Sequence, residues 1–75
     1  MGKLRVLSGL QVCEILRSHG FLEVRRKGSH SIMQKRSVET TVTVPVPLHS
    51  ELKRGTLMSI VRQSGISRSL FEVEG

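Results

Sequence analysis

Phe21-Leu22-Glu23-Val24-Arg25-Arg26-Lys27-Gly28-Ser29-His30-Ser31-Ile32-Met33-Gln34-Lys35 decides the fold. Phe21 to Arg26 reads as a short strand that ends in charge. Lys27-Gly28 reads as a tight turn, since glycine takes positive φ without a Cβ clash. Ser29 to Lys35 returns as a second strand, with Ile32 and Met33 on opposite faces. A hairpin therefore stands at the centre of the chain.

Further along, Arg36-Ser37-Val38-Glu39 turns the chain again, and Thr40 to Val44 is a third strand rich in β-branched residues. Pro45 and Pro47 are expected to end the sheet, because neither donates a ladder hydrogen bond. Leu48 to Arg54 crosses over. A second helix is expected from Gly55 or Thr56 to Gln63, burying Leu57, Ile60 and Val61, with Gly65 as its cap. Ser67 is placed to cap a last short turn that carries Leu70 and Phe71.

Before the hairpin, Ser8-Gly9-Leu10-Gln11 has the form of a capping box, with Ser8 as N-cap and Gln11 at N3. Leu10, Cys13, Ile15 and Leu16 recur at helical spacing, widened by Val12, so residues 9–19 read as the first helix. Gly20 suits the left-handed position just past its end. The order is α-β-β-β-α in a single α+β domain of residues 1–75. Three strands on short turns make an antiparallel sheet, and the two helices cover one face of it. Double-stranded-RNA-binding domains share this order, and they read shape and phosphates.

Twelve Lys and Arg against six Asp and Glu leave a formal charge of +6 on 75 residues. Such an excess implies an anionic partner. Nucleic acid leads, an acidic protein satisfies the same field, and a basic surface kept for solubility is the plain alternative. The single Cys13 excludes an internal disulfide and a cysteine metal cluster. No run approaches the roughly 18 apolar residues of a membrane span. The opening residues, broken by Lys3, Arg5, Gln11 and Glu14, make a poor secretory signal, so a cytoplasmic protein with no membrane contact is expected.

His30 is the strongest candidate for chemistry. It stands just past a glycine turn and directly after the cations Arg25, Arg26 and Lys27. Histidine moves protons near neutral pH, and the cations can hold a phosphate backbone. RNA can be cut without a metal if a base deprotonates the 2′-hydroxyl and cations stabilise the phosphorane. The alternative is a structural histidine that bridges the hairpin through hydrogen bonds. His49 is either a complementary acid or a loop hydrogen bonder, and His19 is explained by the helix dipole. The three histidines lack zinc spacing, and no cofactor is implied.

Lys53-Arg54-Gly55-Thr56 places two cations and a candidate N-cap, Thr56, at the entrance to the second helix, where free N–H groups attract phosphate. The alternative there is a solvated cationic helix start, and the P-loop pattern is absent. Lys35-Arg36 lies at the far end of the hairpin from His30 and reads equally well as turn solvation. With no Trp or Tyr, and Phe21 and Phe71 at core-like positions, a stacking platform for single strands is not expected.

Taken together, Gly20-Phe21, Gly28-Ser29-His30-Ser31-Ile32, Val44-Pro45-Val46-Pro47-Leu48-His49, and Leu52-Lys53-Arg54-Gly55-Thr56-Leu57 with Ile60 resemble the HicA toxins of HicA–HicB toxin–antitoxin systems. The resemblance runs from Leu7 to Phe71. It implies a double-stranded-RNA-binding-like fold and an mRNA interferase, an endoribonuclease that arrests translation by cutting transcripts. The family's catalytic histidine falls on His30, with Gly28 and Ser29 of the same motif as supporting candidates. It also implies two partners, mRNA and a HicB-like antitoxin that covers the active surface. Arg25, Arg26, Lys27, Lys53, Arg54 and Thr56 remain the candidate RNA contacts. A double-stranded-RNA-binding module without cleavage is the alternative, and an inactive relative kept for its antitoxin complex is a third.

Overall fold

The computed structural model describes residues 3–73, ordered α1 (Gly9–Ser18), β1 (Leu22–Lys27), β2 (His30–Arg36), β3 (Thr41–Pro47), α2 (Arg54–Ser64) and a closing 3-10 turn, Arg68–Phe71. This is the expected α-β-β-β-α order.

α1 starts on the expected capping box. The Gln11 N–H donates to Ser8 Oγ at 3.1 Å, and the Ser8 N–H donates to Gln11 Oε1 at 2.9 Å. Its end is a Schellman motif: Gly20 N–H reaches the Arg17 carbonyl and Phe21 N–H the Leu16 carbonyl, each at 3.1 Å. The buried stripe differs from the expected one. It consists of Gly9, Val12, Cys13 and Leu16, while Leu10 points to solvent. These positions are i, i+3, i+4 and i+7 from Gly9, so the glycine is the first member of the stripe and rotates Leu10 outward. Gly9 has no room for a larger residue, because a Cβ there would overlap the Pro47 carbonyl oxygen.

The sheet is an antiparallel meander with β2 in the middle. Its first turn is Gly28-Ser29, one residue later than expected, and Gly28 has φ +58°. Burial alternates cleanly on β2: Ser31 and Met33 are buried, and Val44 and Val46 join them from β3. Both helices pack on this β2–β3 layer, and β1 is exposed along its whole length. Phe21, Phe71, Leu7, Leu52, Leu57, Ile60 and Val61 complete the core. Each such side chain contributes about 1.5–3 kcal/mol by leaving water.

Pro45 does not end the sheet but lies inside β3 opposite Ile32, and the strand ends only at Pro47, opposite His30. The Leu48 N–H donates to the Ser29 carbonyl at 2.6 Å, which makes His30–Pro47 a non-hydrogen-bonded pair. Pro45 has the same parity. Both prolines therefore direct their missing N–H at the outer edge of the sheet, where no ladder bond is lost and further strand addition is blocked.

Candidate active site and nucleic-acid interface

Cross-strand partners share a face, so the register assigns the hairpin's side chains. Lys27, His30 and Pro47 form one row across the three strands, and Arg25, Ile32 and Pro45 form the next. Ser31 between these rows and Met33 beyond the second are buried under the helices, so both rows lie on the helix-free face. His30, Lys27 and Arg25 are exposed. The His30 ring makes no hydrogen bond to another described residue, unlike His19, whose Nδ1 lies 3.0 Å from both Ser18 Oγ and the Ile15 carbonyl. A histidine bridging the hairpin is therefore not what the structure contains.

Main-chain bonds seat the turn. The Ser29 carbonyl holds Leu48, and the Gly9 N–H donates to the His49 carbonyl at 2.9 Å. The hairpin tip, the Pro47–His49 segment and the start of α1 are thus fixed to one another. His49 itself is exposed just beyond Pro47. Gly9 is the residue that sequence reading missed here. Its signal was a poor helix former at the first position of an otherwise regular helix.

The opposite face of the same hairpin holds a closed polar cluster. Ser31 Oγ donates to Glu23 Oε1 at 2.6 Å, and Arg26 donates to the same oxygen from Nη2 at 2.8 Å and Nε at 3.1 Å. The Ser31 hydroxyl first, and then Arg26, hold the Glu23 carboxyl below its ordinary pKa. Burial pushes the neighbouring Cys13 thiol up, with the Ser31 hydroxyl partly offsetting it. In a regular strand Glu23 and Arg26 would point to opposite faces. A bulge between Glu23 and Arg25 adds Val24 to the strand and brings both side chains to the helix side. Arg26 is thereby separated from Lys27 and His30, although all three lie close together in sequence.

Lys53, Arg54 and Thr56 lie at the other end of the crossover. α2 starts at Arg54, earlier than expected; Lys53 is its N-cap residue, with no side-chain cap hydrogen bond. Thr56 does not cap the helix and sits half-buried within its first turn. The exposed Lys53 and Arg54 therefore flank main-chain N–H groups that no side chain caps. Lys35 and Arg36 stand at the far end of β2, away from His30. Among the described residues no group of three or more His, Cys, Asp or Glu is placed to hold a metal ion. No described helix is long and apolar enough to cross a membrane.

Residues 9–66 match the family model described as the HicA toxin of bacterial toxin–antitoxin systems. That span includes α1, the whole sheet and α2. No curated protein matches the sequence.

Proposed function

The chain belongs to the HicA toxin family, and from that premise we propose that it is an mRNA interferase in which His30 is the general base. As a member of that family it is a toxin component with an antitoxin partner. The finer reading rests on one observation: an exposed imidazole without a hydrogen-bond partner among the described residues, set between Lys27 and Pro47 on the open sheet face.

In this mechanism His30 takes the 2′-hydroxyl proton, and the freed oxygen attacks the adjacent phosphorus. The bond from phosphorus to the 5′-oxygen breaks, that oxygen takes a proton from water, and the 2′-oxygen stays on phosphorus as a 2′,3′-cyclic phosphate, while Lys27 and Arg25 stabilise the charge that accumulates on the phosphorane. Gly28 and Ser29 shape the turn that presents the imidazole. Lys53 and Arg54 hold the RNA backbone further along. No metal takes part, and the inhibiting partner is a HicB-like antitoxin that covers this face. A cytoplasmic site of action follows from an mRNA substrate.

The test is cleavage of an oligoribonucleotide against the same strand carrying 2′-deoxyribose at the cut position. The ribose strand should be cut with or without EDTA, and the deoxy strand should remain intact. Equal cutting of both strands would overturn the mechanism. Tight binding of RNA with no cutting of either would favour the non-catalytic module.

A further inference from the structure

A second cationic centre lies at the end of the crossover that begins beside His30. Lys3 and Arg5 of the N-terminal segment, Lys53 and Arg54 at the start of α2, and Arg68 of the 3-10 turn line one cleft of about 450 Å³. Glu51 is the one carboxylate among its described lining residues. Separate parts of the chain supply these cations, and main-chain bonds fix them there. Arg5 N–H reaches the Phe71 carbonyl at 2.8 Å, Val73 N–H the Lys3 carbonyl at 2.7 Å, and Leu52 N–H the Leu7 carbonyl at 2.8 Å. The fold thus gathers charges that the sequence disperses.

Like charges around one concave surface repel each other and focus an attractive field for anions. Arg68 is partly neutralised by Glu72, whose Oε2 lies 2.8 Å from its Nε. Glu51 offsets a further charge, which leaves the cleft strongly positive. The uncapped start of α2 adds its N–H dipoles in the same sense. The volume lies in the range of small-ligand sites and admits a phosphate with its attached sugar.

We propose that this cleft is a second anion site, which holds a phosphate group of a polynucleotide while another part of the same strand reaches His30. An internal phosphodiester and a terminal phosphomonoester carry the same chemistry. The proposal takes its polymeric ligand from the RNA reading above, but the cleft's affinity for phosphate does not depend on it.

The experiment measures binding of a fully 2′-O-methylated oligoribonucleotide across salt concentrations, for the wild type, for Lys3→Gln combined with Arg5→Gln, and for Glu51→Gln. The double variant should weaken binding by about tenfold, the equivalent of one charge-assisted hydrogen bond. Its slope of log affinity on log salt should flatten by about 0.7, the value for a single phosphate on a single strand. On a cleavable strand its KM should rise and its kcat should hold. Glu51→Gln should tighten binding by about threefold, a gain that misfolding cannot produce.

Strands with a 5′-phosphate and a 5′-hydroxyl separate the two phosphate sources. A gain confined to the first marks a terminal phosphate, and equal binding marks an internal one. Inorganic pyrophosphate titrated into the wild type should shift the amide resonances of Arg5 and Arg54 to Leu57. If the wild type bound no RNA, the proposed function would fail, and this titration alone would decide the cleft. Unmoved amides, or unchanged affinity and slope in both variants, overturn the proposal. So does a double variant that loses affinity for the antitoxin while keeping its RNA affinity.

Discussion

The two faces of the β1–β2 hairpin are built for different purposes. On the helix side Ser31, Glu23 and Arg26 satisfy one another at 2.6 to 3.1 Å. On the open side Lys27 and His30 face solvent, and the imidazole has no partner among the described residues. Adjacent residues alternate between these roles, with Arg26 against Lys27 and Ser31 against His30. The period-two geometry of a strand lets a domain this small keep its stabilising contacts and its solvent-facing imidazole and cations within one hairpin. Substitutions on the two faces should therefore separate activity from stability.

The largest effect is expected at His30. His30→Ala should lower the cleavage rate by about a hundred- to ten-thousand-fold, as removal of a general base does. Its melting temperature should stay at the wild-type value, because the imidazole bonds to no described residue. A variant that melts early would place His30 among the structural residues and remove the contrast. Circular dichroism recorded beside the nuclease assay decides it.

Gly9→Ala should break the division instead. The added Cβ meets the Pro47 carbonyl, which belongs to the segment seated beside the hairpin tip. Overpacking of this kind costs about 1–3 kcal/mol. Because Pro47 adjoins His30, both melting temperature and activity should fall. A stable Gly9→Ala protein with full cleavage would show that the crossover does not position the site.

Ser31→Ala comes next and belongs to the closed face alone. Removing the hydroxyl donor should cost about 1 kcal/mol, or about 4–8 °C in melting temperature, with unchanged turnover by the folded fraction. Acid should act on the same cluster. Since the folded carboxyl of Glu23 titrates below its unfolded value, its contribution is complete above the unfolded value. It is lost as pH falls through the folded one. Glu23→Gln should flatten the acid limb of the melting-temperature curve, and a parallel limb would refute the link.

Why some of this was legible in the sequence, and some not, follows from the same geometry. The element order was readable because hydrophobic spacing changes at Gly20 and changes back after the crossover. His30 was readable because a glycine turn and adjacent cations announce an accessible position. Pro45 misled because its cost depends on which way an N–H points, and that parity is set by the partner strand. Leu10 misled because apolarity was weighed where Gly9, with no side chain, was the residue that packs. The Glu23–Arg26 pair was hidden by the bulge, since uninterrupted alternation places those side chains on opposite faces. Charge alone accordingly groups Arg26 with Lys27 as an RNA contact. The cleft cations were hidden because Lys3, Arg5 and Arg68 meet Lys53 only in three dimensions.

The finest test compares those two neighbours. Lys27 shares a row with His30, whereas Arg26 lies across the sheet and is held by Glu23. If RNA lies on the open face, Lys27→Gln removes a phosphate contact. Binding should weaken, and the salt slope should flatten by about 0.7. Arg26→Gln should leave that slope nearly unchanged, because its charge is already compensated and points away from the bound strand. Its effect should appear as a small drop in stability, since exposed ion pairs contribute little. Equal flattening by the two variants would mean that RNA wraps the β1 edge and contacts both faces, and the division drawn from the hairpin would then hold for packing but not for binding.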